Sequence, residues 1–270
     1  MVQKTKQTSF IPDLKKNDLV MVSGGSYTGI NAIMSQTVED ALSSGKKVAL
    51  FVADYINNDK PLITEELNNK ELLSIFRSIN FITDDIDFSN DYSMNRIAQE
   101  VGSRKDTDER YDVVVITDAE ELPELKNCRN PVEIAGMMRK VQKEFSVPLV
   151  FSMLLSKRPF RRFDYASNKD LLFYSIRDFV DYLIRVDDDA KKGEYPLQVK
   201  ARFYDCRISK TDLEFFFSRN DSRLYLKDEH ITDLYDKALA LGLEKEDAVA
   251  YACYWSVNKN ESTGDKDDDI

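Results

Sequence analysis

The sequence predicts an α/β fold: a mostly parallel sheet flanked by helices, with an antiparallel hairpin extension on its C-terminal side. Three observations predict it. Apolar runs of strand length alternate with segments of helical periodicity from Asp18 to Ser152. The run at 111–117, YDVVVIT, is largely β-branched, the pattern of a strand covered on both faces. Two long alternating segments, 197–204 and 212–218, follow with a turn between them at 206–211.

Each element has its own signal. Residues 1–17 are polar, with Lys4, Lys6, Lys15 and Lys16, and read as a flexible arm. The first strand is 19–22. A glycine-containing segment, 24–31, leads to a helix over about 31–44, which ends at Ser43-Ser44-Gly45, a C-cap signal. The second strand is 47–53 (KVALFVA), closed by Asp54. The spacing of Leu67, Leu72, Leu73 and Phe76 predicts a helix over 64–79, with Glu65 and Glu66 in the first turn, where carboxylates suit the helix dipole. A short strand is expected at 79–82 and a helix at 93–102. After the 111–117 strand, 131–145 reads as an amphipathic helix with Pro131 at its first position. Strands at 148–152 and 181–186 complete the parallel part. Helices at 231–242 and 245–255 and an acidic, disordered tail follow the hairpin. The expected organisation is therefore an arm (1–17), a core (18–226), C-terminal helices (227–257) and a tail (258–270).

Composition excludes several classes. The 270 residues suit one large domain, or one domain with appendages, and a hydrophobic content of 42% supports a buried core. The formal net charge of −10 argues against polyanion binding by the molecule as a whole, but not against a local basic patch. Cys128, Cys206 and Cys253 lie far apart with no CxxC, and His230 is the single histidine, so no metal site is expected. Reduced cysteines and a cytoplasmic location are the simplest expectation. The first ten residues lack the apolar stretch of a signal peptide, and no apolar run approaches 18 residues, so no membrane span is expected.

The glycine segment carries the most chemistry. A phosphate-binding loop reads G-x-x-x-x-G-K-[S/T]: backbone N–H groups cradle the phosphates, the lysine reaches the β/γ-phosphates and the hydroxyl meets Mg²⁺. Gly24 and Gly29 hold the two glycine positions, but Ile30 stands at the lysine and Asn31 at the hydroxyl. Gly24, Gly25, Ser26, Gly29, Ile30 and Asn31 are thus the nucleotide-binding candidates. The ligand expected there is a weakly held nucleotide or anion, because a helix N-terminus attracts anions without a lysine. The bland alternative is a tight turn that binds nothing. Asp54 and Asp118 end strands at the side where α/β sheets bind ligands, and are the candidate catalytic carboxylates. A third cluster, Lys157, Arg158, Phe160, Arg161 and Arg162, combines cations that neutralise phosphates with an aromatic ring that stacks on bases. Single-stranded DNA is its expected ligand, a protein contact the alternative.

In this order the features resemble the RecA-like ATPase core, and in particular the C-terminal domain of DnaB-type replicative helicases. The resemblance spans roughly 18–226. It rests on the entry DLVMVSG into the glycine loop, the strand KKVALFVAD, the strand DVVVITD, the segment 132–152 with its Ser146-Val147-Pro148 turn, and Lys200-Ala201-Arg202 on the hairpin. It implies a RecA-like mostly parallel sheet. Asp54 would stand for the family's catalytic glutamate, and Asp118 (or Thr117, one register away) for its Mg²⁺ ligand. Lys200 and Arg202 would be a finger that reaches a neighbouring subunit's nucleotide in trans. The implied partners are single-stranded DNA and a helicase or recombinase ring, or a homo-oligomer. With the lysine and hydroxyl replaced, the expectation is a DNA replication or recombination binding or assembly module that is not an active ATPase.

One rival is an NAD(P)-dependent short-chain dehydrogenase. The glycine segment also resembles that family's T-G-x-x-x-G-I-G loop, Ser152 precedes Tyr165, and Tyr165 and Lys169 form Y-x-x-x-K. Against it, the N-A-G motif after the fourth strand is missing, and the spacing between Asp118 and Ser152 admits a single crossover helix.

Overall fold

A computed structural model describes residues 14–24, 27–52, 94–108, 110–125, 128, 130–155, 175–188, 198–205, 210–218 and 223–258. The helix expected at 64–79, the strand expected at 79–82, the basic segment 157–165 and the tail from 259 lie outside these residues, as do Gly25, Ser26, Asp54, Tyr165 and Lys169.

The chain runs β1 (Leu19–Gly24), α1 (Tyr27–Ser43), β2 (Val48–Val52), α2 (Met94–Ser103), β3 (Val113–Thr117), a short 3-10 turn (Ala119–Glu121), α3 (Pro131–Phe145) and β4 (Leu149–Leu154). There follow β5 (Tyr182–Asp188), β6 (Gln198–Asp205), β7 (Lys210–Ser218), β8 (Arg223–Leu226), α4 (Glu229–Ala240) and α5 (Lys245–Asn258). Among the described residues, all eight strands form one sheet in the order β2-β3-β4-β1-β5-β6-β7-β8. The first five are parallel, and β6, β7 and β8 are antiparallel additions. The fold is therefore the one the sequence predicts, with one extra strand. β8 is four residues long and follows β7 closely, too short for its alternation to register as a strand.

Period-two alternation divides each central strand between two cores. Leu19 and Met21 of β1, with Phe151 of β4 and Ile116 of β3, face the layer built by α2 and α3. Val20 and Val22, with Val115 and Val150, face α1. Every residue of β1, β3 and β4 is buried, as expected of parallel strands covered on both sides. The α1 face continues across the antiparallel extension through Val199, Ala201, Phe215 and Phe217. On the opposite face, α4 and α5 cover β7 by packing Ile231, Val249, Ala252 and Cys253 around Phe216.

Local signals explain the helix ends. Asn130 caps α3 by accepting from the Val132 N–H at 2.8 Å, and Pro131 follows at the first helical position. Ser146 closes α3 in a left-handed conformation with φ of 55°. Asp228 caps α4 by accepting from the Ile231 N–H at 2.9 Å.

The N-terminal edge of the sheet is tied by Arg139 of α3. Its guanidinium donates to the Phe179 carbonyl at 2.6 Å, the Asn17 carbonyl at 2.9 Å and the Asp181 carboxylate at 2.6 Å. The same Asp181 oxygen accepts from the Leu19 N–H at 2.9 Å, so one ion pair holds α3 and the entries to β1 and β5 together.

Candidate functional site

The strand order creates the site. From β1 the chain turns onto one face of the sheet as α1, and β4, beside β1, belongs to the half whose helices α2 and α3 cover the other face. Where crossovers diverge in this way, open α/β sheets bind ligands beyond the strand C-termini. Gly24, Asp118 and the end of β4 all lie at that edge.

Asp118 follows β3 directly. It is buried and adopts φ 52° and ψ 48°, a left-handed conformation that aspartate tolerates better than most residues at a cost of about 1 kcal/mol or more. Backbone hydrogen bonds help to hold it there. Its N–H donates to Ser152 Oγ at 2.9 Å, and its carbonyl accepts from the Glu121 N–H at 2.8 Å. The carboxyl makes no capping bond to the 3-10 turn that it precedes. Next to it, Glu120 is 5% exposed and accepts from the Leu154 N–H at 3.0 Å, stapling the 3-10 turn to the end of β4. The edge thus presents two buried carboxyl groups on a backbone held in an uncommon conformation. Glu120 and Ser152 were not legible as a pair with Asp118, because the contact needs β3 and β4 to lie side by side. In the sequence Ser152 carries a signal only for the dehydrogenase alternative; in the fold its hydroxyl accepts from the Asp118 N–H.

The glycine segment differs from expectation at one point. The helix begins at Tyr27 and not near Asn31, so Gly29, Ile30 and Asn31 sit in its first turns. The physical reason is packing. Ile30 is 1% exposed and belongs to the core with Val20, Val22, Ile184 and Val186, which draws its turn of helix down onto the sheet. Asn31 is buried as well. Gly24 is required for close approach: a Cβ there would stand 2.7 Å from the Val186 carbonyl oxygen and 3.2 Å from Ile30 Cγ1.

Lys200 and Arg202 occupy alternate positions on β6, level with the upper end of β1 through β5. Both are engaged within the chain. Lys200 pairs with Glu214 at 2.8 Å, and Arg202 pairs with Asp212 in a two-pronged contact. Lys227 joins Glu214 from the other side at 3.5 Å. The Glu214 carboxyl is held below its ordinary range, first by the hydrogen bond from Lys200. What stability this pairing adds is present above the ordinary glutamate pKa and is lost as the pH falls through the depressed value. Arg185 of β5 is 5% exposed directly across from Arg202, so two guanidinium groups and a lysine share one strip of the sheet. Among the described residues, no group of histidine, cysteine and carboxylate side chains is arranged to hold a metal, and no helix is long and apolar enough to cross a membrane.

No protein-family model matches the sequence, and no curated protein matches it either. Solved structures do match in fold. One, solved as an isolated ATPase domain, aligns with a TM-score of 0.51 at 13% identity, over 80% of this chain and 86% of that one. A KaiC-like protein from the hyperthermophilic archaeon Pyrococcus horikoshii OT3 gives 0.51 at 15% identity, over 80% and 97%. A DnaB-like replicative helicase, solved for its interactions with primase, gives 0.53 at 13% identity over 78% of this chain and 57% of the helicase. The chain has the RecA-like fold of these ATPase and helicase domains, with a mostly parallel sheet and antiparallel strands at its C-terminal end. It spans little more than half of the helicase it matches. The dehydrogenase alternative is not favoured. In the dinucleotide-binding order 3-2-1-4-5-6, β1 lies beside β2, whereas here β3 and β4 stand between them.

Proposed function

We propose that this chain is a binding or assembly module of DNA replication or recombination, built on a RecA-like fold whose nucleotide site no longer turns over ATP. The observation that carries the reading is Ile30. It stands where a phosphate-binding loop has its lysine, and it is 1% exposed in the core. Electrostatic stabilisation of the phosphates supplies most of the catalysis in phosphoryl transfer, and an isoleucine supplies none. Asp118 keeps its place at the sheet edge, and Asp54 would be its companion from β2. Asn31, without a hydroxyl, is a poor partner for Mg²⁺.

The remaining parts fit an assembly role. RecA-like subunits contact one another head to tail, an interface that closes into rings or runs on as filaments. Lys200 and Arg202 would serve that interface by reaching a neighbour's bound anion, exchanging their present partners Glu214 and Asp212 for it. Partners of this kind are an active helicase or recombinase ring, or further copies of the chain. The segment with Lys157, Arg158, Phe160, Arg161 and Arg162 would hold single-stranded DNA.

Two measurements test the reading. An ATPase assay with single-stranded DNA should detect no turnover above background, and a rate of about 1 per second or more, typical of an enzyme, would refute it. Replacing Arg158, Arg161 and Arg162 with alanine should weaken binding to single-stranded DNA and flatten its salt dependence by up to about two to three counterions. If neither quantity changes, that segment is not the DNA contact.

A further inference from the structure

From Ala248 to Trp255 the C-terminal helix α5 is apolar on every side, yet the fold covers one side of it. Val249, Ala252 and Cys253 of α5 are buried against Phe216 and Ile231, and Ala248 is buried as well. On the other side, Tyr251 lies one helical turn before the adjacent Tyr254 and Trp255, and the three form a continuous aromatic face. The Tyr254 and Trp255 rings meet edge to face at 5.4 Å, and Tyr251 and Trp255 lie 6.2 Å apart. Tyr254 is 60% exposed and Trp255 41%, with Val257 exposed on the shoulder of the same helix. A helix with apolar residues on every side is normally enclosed, so the uncovered face calls for an occupant.

Charge around the face selects that occupant. Residues 229–258 hold six acidic and two basic side chains, a net −4 of the chain's −10. Glu246 and Asp247 are exposed in the first turn of α5, and Asp247 sits one turn before Tyr251. Lys237, one of the two cations, is paired with Asp233 at 2.6 Å. Tyrosine and tryptophan are the residues most enriched in binding hot spots, and acidic flanks steer a basic partner towards them while repelling nucleic acid. From this we infer that α5 is the docking site for a basic, amphipathic helical segment of a partner protein. Apolar side chains of the partner cover Tyr254 and Trp255, and its lysines or arginines meet Glu246, Asp247 and the aromatic ring faces. The site is separate from the glycine segment and stands whether or not a nucleotide binds there.

Trp255 is the single tryptophan of the chain, so its emission reports the site directly. The probe is a synthetic 14-residue helical peptide of leucine and lysine, titrated into the full chain. The expected result is a saturable blue shift that weakens as salt is added. Tyr254→Ser should weaken the affinity about tenfold with an unchanged unfolding midpoint, and Asp247→Lys by several-fold with a slightly lowered midpoint, because a cation replaces a carboxylate in the first turn of α5. Four results would overturn the proposal: no saturable shift; an equal shift with polylysine, which has charge and no apolar face; unchanged affinity in Tyr254→Ser; or a shift on concentrating the protein alone, which would make a second copy the occupant.

Discussion

Ile30→Lys should destabilise the protein by about 3–5 kcal/mol, the cost of leaving a charge without a partner in a core. The side chain it replaces is 1% exposed among Val20, Val22, Ile184 and Val186, with Gly24 backbone close by. None of the apolar neighbours offers a counter-charge. The same substitution interrogates the loop itself. Ile30→Lys with Asn31→Thr would complete the residues of a phosphate-binding loop. If the segment has kept that frame, Mg·ATP will provide the missing anion and raise the unfolding midpoint. Saturation at 100 times Kd corresponds to about 2.7 kcal/mol of recovered stability. Denaturant unfolding with and without Mg·ATP reads both effects. A double variant that is destabilised but indifferent to nucleotide would show that Gly24 and Gly29 match the motif by chance. A single variant as stable as the parent would remove Ile30 from the core.

Arg139→Met should cost about 2–4 kcal/mol, between the values for exposed and buried ion pairs, because the pair with Asp181 is only partly accessible to water. The loss exceeds that of one contact. Two backbone carbonyls, at Phe179 and Asn17, lose their donor, and Asp181 keeps a single bond from the Leu19 N–H. Arg139→Lys should recover little, since an ammonium cannot span the four acceptors, Gln142 Oε1 included, that the planar guanidinium reaches. Urea denaturation measures both variants, and a cost below about 1 kcal/mol for Arg139→Met would deny the residue its tying role.

These two residues mark what sequence reading could and could not reach. The strands were legible because parallel strands covered on both sides must be apolar at every position, and 111–117 has little other pattern to offer. Pro131 announced the start of α3 for an equally local reason. The antiparallel pair β6 and β7 followed from alternation. Long-range partnerships were not legible. Arg139 reads as an ordinary charge on a helix until folding brings Asn17 and Asp181, 122 and 42 positions away, to its guanidinium. Glu120 gave no signal for the same reason, as its partner is a backbone N–H 34 positions on. The start of α1 was misplaced because two glycines suggested an open loop. Tertiary packing of Ile30 outweighed the low helix propensity of Gly29, a penalty of only about 1 kcal/mol. The hairpin carboxylates that engage Lys200 and Arg202 depend on strand register, which alternation alone leaves open.

The central claim is that the site beside Gly24 and Asp118 has lost the cation that grips a triphosphate. Calorimetric titration of the unmodified chain with Mg·ATP tests it most directly. The account predicts no saturable heat up to about 1 mM nucleotide, the affinity left to a helix N-terminus alone. Saturable binding at about micromolar Kd would contradict it, and would mean that this chain holds the phosphates by other residues.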